Sequence, residues 1–328
     1  MTIATFEQIP ETALRWHQAG TRAAVATVIE TWGSAPRPVG SQLVIGADGE
    51  MLGSVSGGCV EGAVIADALE TLEDGKPRIL EFGVTHDDAF AVGLACGGQI
   101  KVMVEPVGIG EGMPVEVLLQ IVEARAAREA VGLVTHTNTW ARRIVGADAF
   151  PARFSADQSG PEGLEFVTLY NPPLRMVIVG AVHIAQPLSM MARIAGYDVV
   201  LIDPREAFAT AARFPDVRLL HDWPDDALAA QAPDARTAVV TLTHDPKLDD
   251  PAIETVLATP AFYLGCLGSK RTHGKRVMRL SERGFTAEQI DRIHGPVGAD
   301  IGAKSPAEIA ISIMAEVTER LRRPQTRR

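Results

Sequence analysis

The sequence predicts an α/β chain: an N-terminal α+β domain built on antiparallel strands, followed by a C-terminal Rossmann-like domain built on a parallel sheet. Three observations point there. Met176 to Val179 is a short, β-branched apolar run, the pattern of a parallel strand buried on both faces. Gly180 breaks that run, a helical pattern extends from near His183 to Gly196, and residues 198–203 form a second apolar strand ending in Asp203. Strand, glycine turn, helix, strand and terminal acid make the βαβ unit of dinucleotide-binding folds. In the first half, strands are instead joined by short turns such as Ala47-Asp-Gly-Glu50, and an Asp-Gly pair between strands marks an antiparallel hairpin.

The elements follow in order. Residues 6–19 read as an amphipathic helix and residues 23–31 as a strand. A loop over residues 32–40, stiffened by two prolines, carries Arg37. The hairpin strands are residues 41–45 and 51–55. A helix over residues 60–72 sets Val60, Val64, Ala68 and Leu72 on one face. Strands follow at residues 78–82 and 99–104, with a polar loop containing His86, Asp87 and Asp88 between them. A helix at residues 116–130 and strands at residues 131–137, 142–145 and 166–170 extend this domain. Asn171-Pro-Pro173 is the expected boundary, giving domains of residues 1–172 and 173–328. In the second domain, further strands are expected at residues 217–220, 237–243 and 262–268, and helices at residues 251–258, 269–283 and 306–322. Thr286-Ala-Glu-Gln289 and Ser305-Pro-Ala-Glu308 both match a capping box, and Pro306 suits the first helical position. Residues 295–302 form a glycine-rich loop containing Asp300.

Composition excludes several function classes. With 328 residues, of which 46% are hydrophobic, the chain is long enough for two domains with real cores. A net charge of −10 opposes nucleic-acid binding, because the electrostatic term would be repulsive. No apolar run reaches the roughly 18 residues of a membrane span. Residues 1–20 hold Glu7 and Glu11 and no apolar stretch, so no signal peptide is expected. Three cysteines in a chain this long do not make a disulfide framework, and a cytoplasmic location with reduced thiols is expected.

The residues that could carry chemistry fall into two groups. In the second domain, the Gly180 turn brings backbone near a phosphate, with the helix beginning near His183 offering free N–H groups. Asp203 stands where a ribose hydroxyl would be accepted. Val182 occupies the place of the middle glycine of G-x-G-x-x-A, so a side chain points where a pyrophosphate usually lies. His244 and Asp245 end a strand, the place where open α/β sheets bind ligands. Ser269, Lys270 and Arg271 open a helix whose N–H groups and two cations suit an anion. Asp300 either acts in catalysis or fixes its loop. In the first domain, Cys59 and Cys96 lie in glycine-rich turns, Gly57-Gly-Cys59 and Cys96-Gly-Gly98. Backbone N–H groups, and for Cys59 a helix start, would favour a thiolate. Both are candidate reactive thiols or soft-metal ligands, against the plain alternative of small buried hydrophobes. Cys266, inside an apolar strand, reads as core.

Several of these stretches resemble the XdhC/CoxI family of xanthine dehydrogenase accessory factors. In the first domain they are Glu30-Thr-Trp-Gly-Ser-Ala-Pro-Arg-Pro-Val-Gly40, Gly53-Ser-Val-Ser-Gly-Gly-Cys-Val-Glu-Gly62 and Cys96-Gly-Gly98. In the second they are Ile178-Val-Gly-Ala-Val-His-Ile-Ala185, Leu242-Thr-His-Asp245, Leu264-Gly-Cys-Leu-Gly-Ser-Lys-Arg271 and Asp300-Ile-Gly-Ala-Lys-Ser-Pro-Ala-Glu308. The resemblance implies a chaperone more than a stand-alone enzyme. Such a protein binds molybdenum cofactor, as molybdopterin or its cytosine dinucleotide form, and holds it during sulfuration by a cysteine desulfurase. It then helps insert the cofactor into an apo molybdenum hydroxylase. A homodimer is expected on the same ground. On this reading Arg37, Gly180, His183, Asp203, His244, Asp245, Ser269, Lys270, Arg271 and Asp300 are the candidate cofactor-binding residues. Cys59 and Cys96 are the candidate catalytic thiols and molybdenum ligands, with the cofactor between the two domains. Two competing readings use fewer of these residues. An NAD(P)-dependent oxidoreductase, with a dinucleotide as cofactor, needs only the βαβ unit and Asp203. A purely scaffolding protein needs no small molecule.

Overall fold

The structure is a computed structural model and describes residues 8–33, 37–83 and 98–323. Contacts within it cluster into two compact units, residues 8–172 and residues 173–323.

The N-terminal unit holds α1 (Ile9–Gln18), β1 (Ala23–Trp32), β2 (Gln42–Gly46), β3 (Met51–Gly53), α2 (Glu61–Asp74), β4 (Arg78–Phe82), β5 (Gln99–Pro106) and α3 (Val115–Ala126). It continues with β6 (Val131–His136), β7 (Arg142–Gly146), α4 (Pro151–Ala156), β8 (Gly160–Glu162) and β9 (Glu165–Tyr170). The first five strands form an antiparallel sheet in the order β3-β2-β1-β5-β4. β1 is buried on both faces, and its period-2 alternation divides the core. Ala24, Ala26 and Val28 meet the predicted stripe Val60, Val64, Ala68 and Leu72 of α2. Ala23 and Val25 meet Ile9, Ala13 and Leu14 of α1 and Leu118 and Ile121 of α3. The later strands do not join this sheet; they make their own, in the order β7-β6-β9-β8. A buried ion pair links the two sheets: Arg142 donates to Glu105 Oε1 from Nε at 2.8 Å and from Nη2 at 2.6 Å. The expected helix over residues 116–130 stops at Ala126, because Arg128 adopts a left-handed φ of 60° that ends helical bonding.

The C-terminal unit holds β10 (Arg175–Val179), α5 (Ala185–Ile194), β11 (Asp198–Ile202), β12 (Arg218–Leu220), α6 (Pro224–Gln231), β13 (Thr237–Thr241) and α7 (Pro246–Leu257). It ends with β14 (Tyr263–Cys266), α8 (Lys270–Glu282), α9 (Ala287–Ile290), β15 (Ile293–His294) and α10 (Pro306–Arg322). All six strands are parallel, in the order β12-β11-β10-β13-β14-β15. This is the doubly wound order, which reverses between β10 and β13. One sheet face is covered by α5 and α10 and the other by α6, α7 and α8. Both capping boxes form as predicted, at Thr286 with Gln289 and at Ser305 with Glu308. α7 begins five residues earlier than the sequence suggested. Pro246 takes the first helical position, Asp245 caps it by accepting from Lys247 N at 3.0 Å, and Pro251, expected to open the helix, lies inside it. A proline within a helix removes one backbone hydrogen bond, and seven buried residues on α7 outweigh that loss. Among the described residues, no helix is long and apolar enough to cross a membrane.

Candidate functional site

The carboxyl ends of the parallel strands carry most of the sequence-predicted residues. After β10, Gly180 takes φ 105°, and a Cβ there would stand 2.5 Å from Thr243 Cγ2. Only glycine lets this turn lie against the neighbouring strand end. α5 starts at Ala185 rather than near His183; residues 182–184 form a turn in which Ala185 N–H donates to Val182 O. His183 is exposed, while Val182 is half-buried against the core of this unit. Val182 therefore points partly into packing.

Asp203, at the end of β11, is fully buried. It accepts from Ala181 N at 2.7 Å, from Arg205 N at 3.0 Å, and from Arg205 Nε and Nη2 at 2.8 and 2.7 Å. Burial pushes its carboxyl up, but these hydrogen bonds, the Arg205 side chain foremost, prevail and hold it below the usual carboxylate range. Four donors occupy the roughly four acceptor positions of a carboxylate. The acid expected to take a ribose hydroxyl is thus bound by its own chain. Arg205, which the sequence reading did not single out, also stacks over Phe208 with its guanidinium 4.2 Å from the ring centre.

After β13, His244 adopts a left-handed φ of 61°, uncommon for a residue with a side chain. Both His244 and Asp245 are exposed. Thr243 Oγ1 accepts from Asp245 N at 3.1 Å and donates to the buried Asp249 Oδ1 at 2.6 Å. After β14, Gly268 leads into Ser269, which caps α8 by accepting from Thr272 N at 3.1 Å. Lys270 and Arg271 follow, both exposed, at a helix end whose dipole disfavours cations. A cleft of about 470 Å³ opens beside this turn, with His244 from the β13 end and Arg271 from α8 in its lining. The structure therefore brings His244 and Arg271 together in one cleft.

The loop of residues 295–302 is anchored from beneath. Glu316 of α10 accepts from Tyr263 Oη at 2.5 Å and Gly298 N at 2.7 Å, and lies 3.1 Å from His294 Nδ1. Asp300 at the tip of this loop is exposed.

In the N-terminal unit, Cys59 is exposed and immediately precedes Val60, the N-cap of α2. The turn that presents it is organised by Glu61. This side chain is 7% exposed, although it sits in the first turn of a helix. Its carboxylate accepts from Ser54 Oγ at 2.8 Å, Val55 N at 3.2 Å, Ser56 N at 2.9 Å and Gly58 N at 2.8 Å, and also from Ser56 Oγ. Gly57 and Gly58 take φ 74° and 109°; Gly58 N–H turns to Glu61, while Gly57 N–H donates to Ser54 Oγ at 2.9 Å. Burial works to raise the Glu61 carboxyl, but the hydrogen bonds outweigh it and bring the pKa down to about 2. The donors expected to favour a Cys59 thiolate are thus largely spent on Glu61. Arg37 is half-buried, and its Nε has no hydrogen-bond partner among the described residues. Cys96, with His86, Asp87 and Asp88, lies outside the described residues. Cys266 is fully buried in β14, and burial pushes its thiol up to about 11.

Glu61, Arg205, Asp249 and Glu316 escaped the sequence reading. Glu61 left a local trace, as an acid in the first turn after a glycine-rich loop, and Arg205 pairs with Asp203 only two residues away, but neither spacing by itself signals a buried carboxylate; Asp249 and Glu316 acquire their roles through tertiary packing.

Known proteins match both units. Residues 16–83 match the model of the XdhC and CoxI family, and residues 176–317 that of the XdhC Rossmann domain. The chain is 31% identical over 299 residues to the molybdenum cofactor insertion chaperone PaoD of Escherichia coli (strain K12), covering 91% of this chain and 83% of that protein. It is 25% identical over 322 residues to a Bacillus subtilis (strain 168) protein described as a probable xanthine dehydrogenase component, covering 92% of this chain and 94% of that protein. A crystal structure described as a xanthine dehydrogenase from Bacillus halodurans superposes with a TM-score of 0.78 at 26% identity, covering 98% of this chain and 97% of that one.

Proposed function

This chain belongs to the XdhC and CoxI family, and from that premise we propose that it is an accessory protein of molybdenum cofactor maturation. It takes the cofactor as cargo, holds it while a cysteine desulfurase supplies sulfur to the metal centre, and passes it to an apo molybdenum hydroxylase of the xanthine dehydrogenase type. Its setting on this reading is the cytoplasm, and its working form a homodimer.

The observation that carries the reading is the start of α8. Ser269 has committed its side chain to the helix cap, and Lys270 and Arg271 stand exposed where the helix dipole opposes them. An anion answers both the free N–H groups of the first turn and the two cations. The pterin's phosphate, or the diphosphate of its dinucleotide form, is an anion of that kind. Cys59 supports the metal chemistry of the reading: it is an exposed thiol in a turn made rigid by Glu61, and thiolates are soft ligands suited to molybdenum. Cys96 is proposed as the companion thiol from its glycine-flanked sequence. Arg37, Gly180, His183, His244, Asp245 and Asp300 stay candidate contacts to the cargo, whereas Asp203 has its acceptors filled. No observation favours the oxidoreductase reading over this one.

The test is purification of the full chain from cells that make the cofactor, followed by assay of molybdenum and pterin against protein. Stoichiometric molybdenum and pterin, lost when Lys270 and Arg271 are both replaced by Ala, is the expected result. A wild-type chain carrying neither would overturn the reading.

A further inference from the structure

Beyond Arg271 and His244, the cleft between α7 and α8 carries charge that the proposed function does not use. Arg271, Lys275, Arg276 and Arg279 of α8 line it with His244, and Asp249 of α7 is the acid among its lining residues. Arg279 is already answered by Asp250, at 2.6 and 2.8 Å. Arg271 and Lys275 are exposed, and among the described residues neither has an ion-pair partner. The spacing of four residues sets Arg271, Lys275 and Arg279 in one row along the helix, rising about 6 Å per step. Like charges in such a row destabilise an isolated helix.

Arg276 is the second, independent observation. It is 2% exposed. Its Nη2 donates to Leu267 O at 3.1 Å, but among the described residues Nε and Nη1 have no hydrogen-bond partner. The nearest acid, Asp249, stands 4.0 Å away, beyond hydrogen-bond reach, and its Oδ2 is also unpartnered. A buried guanidinium with two unanswered nitrogens, on the wall of a cleft already rich in cations, is an uncommon and costly arrangement. Oxyanions satisfy it, since the planar fork of an arginine matches two oxygens on one centre.

We propose that the α7–α8 cleft is a phosphoryl-anion site in which Arg276 is the buried recognition group and Arg271 and Lys275 are the outer cations. The ligand class is a phosphate ester or a diphosphate. Asp249 faces Arg276 across the back of the cleft, tied down by Thr243, and balances part of the charge when no anion is bound. The inference rests on the proposed function only for the identity of the molecule that carries the phosphoryl group.

The experiment is calorimetric titration of the full chain with inorganic phosphate, inorganic pyrophosphate and, as control, sodium chloride at matched ionic strength. Saturable binding of phosphate or pyrophosphate, with a rise in melting temperature as anion is added, is expected for the wild type. Arg276→Lys keeps the charge and removes the fork, and should weaken binding by about ten-fold or more. Because Arg276 is buried, the exposed pair Arg271→Ala with Lys275→Ala serves as the fold-neutral variant and should weaken binding by a similar factor. No saturable anion binding in the wild type, or equal affinity in the wild type and both variants, would sink the cleft site. Anion binding by a chain that never acquires molybdenum or pterin would leave the cleft standing and remove the proposed function. Wild-type cofactor loading in variants, with no anion binding by any form, would do the reverse.

Discussion

Arg205 grips both oxygens of the buried Asp203 carboxylate, Nε donating to Oδ1 at 2.8 Å and Nη2 to Oδ2 at 2.7 Å. With Ala181 N–H on the same carboxylate, the pair closes the glycine turn of the βαβ unit onto the neighbouring strand end. A dinucleotide-type scaffold has its ribose acceptor turned inward as a structural clamp.

The wild-type chain should therefore show no micromolar binding of NADH or NADPH by fluorescence titration, and Val182→Gly should not create it while Asp203 stays clamped. Arg205→Ala should destabilise the C-terminal unit by about 1–3 kcal/mol, less than a fully buried pair because the arginine is 40% exposed. The Asp203 carboxyl is held below its usual value of 3.8, so its contribution is present above that pH and lost as pH falls through the lower folded value. Arg205→Ala should flatten this acid dependence in urea unfolding. Micromolar nucleotide binding by the wild type would refute the clamp.

Glu61 sets a second acid-labile point. Its folded pKa of about 2 lies below the ordinary 4.5, so its stabilisation is complete above about 4.5 and is lost as pH falls towards about 2. Glu61→Gln keeps the shape but loses the anion that five donors share. It should cost about 2–3 kcal/mol at neutral pH and abolish the steep loss of stability in that window. Alkylation of Cys59 at neutral pH should change rate in this variant, because the turn presenting the thiol is no longer held. Unaltered alkylation and an unaltered acid profile would mean that Glu61 does not organise the turn.

Cys59→Ala separates chemistry from packing. The side chain is exposed, so melting should stay within about 0.5 kcal/mol of wild type in stability terms. Molybdenum per protomer should fall, and a co-expressed client hydroxylase should accumulate folded but inactive. Cys96→Ala is the companion variant and should abolish cofactor retention. Full molybdenum loading and client activity in the double variant would remove the thiol role. A stability loss of roughly 2 kcal/mol or more, in the range of core truncations, would assign the cysteines to packing.

Tyr263 and Glu316 give a fourth test. Tyr263 is 1% exposed and its hydroxyl donates to the Glu316 carboxylate, which in turn accepts from Gly298 N. Tyr263→Phe should cost about 1.5–3 kcal/mol, as expected for a hydrogen bond to a charged group. It should also speed hydrogen exchange at the Gly298 amide by loosening the carboxylate that receives it. Protection of that amide at the wild-type level would show that the loop of residues 295–302 is fixed by something other than this network.

The elements with a strong local period were legible. α2 was readable from Val60, Val64, Ala68 and Leu72, and both capping boxes from two residues each. β10, β11 and β13 were readable because parallel strands buried on both faces become unbroken apolar runs. α4, α6, β8 and β15 were not. They are short, and β15 is two residues held by pairing with Leu264 and Gly265, a context that no local pattern contains. The sequence alone does not locate the start of α7, because proline signals a helix start and both Pro246 and Pro251 follow an aspartate. Asp245 decides the matter only once its carboxylate reaches Lys247 N–H.

The site divides along the same line. By itself the sequence determined where the chemistry-bearing groups stand along the chain: the Gly180 turn, the acid ending β11, the His244-Asp245 pair, the Ser269-capped basic turn and the Cys59 turn. These are local signals, because turn glycines, caps and strand ends act over a few residues. Only the tertiary structure decided which of those groups are free. Asp203 is consumed by Arg205 and Ala181, the Ser56 and Gly58 N–H groups before Cys59 are consumed by Glu61 and that of Gly57 by Ser54, and Arg276 is left with two donors unanswered beside Asp249. Whether a polar atom is satisfied depends on distances of a few tenths of an ångström and on burial, and both exist only after the helices have packed on the sheet.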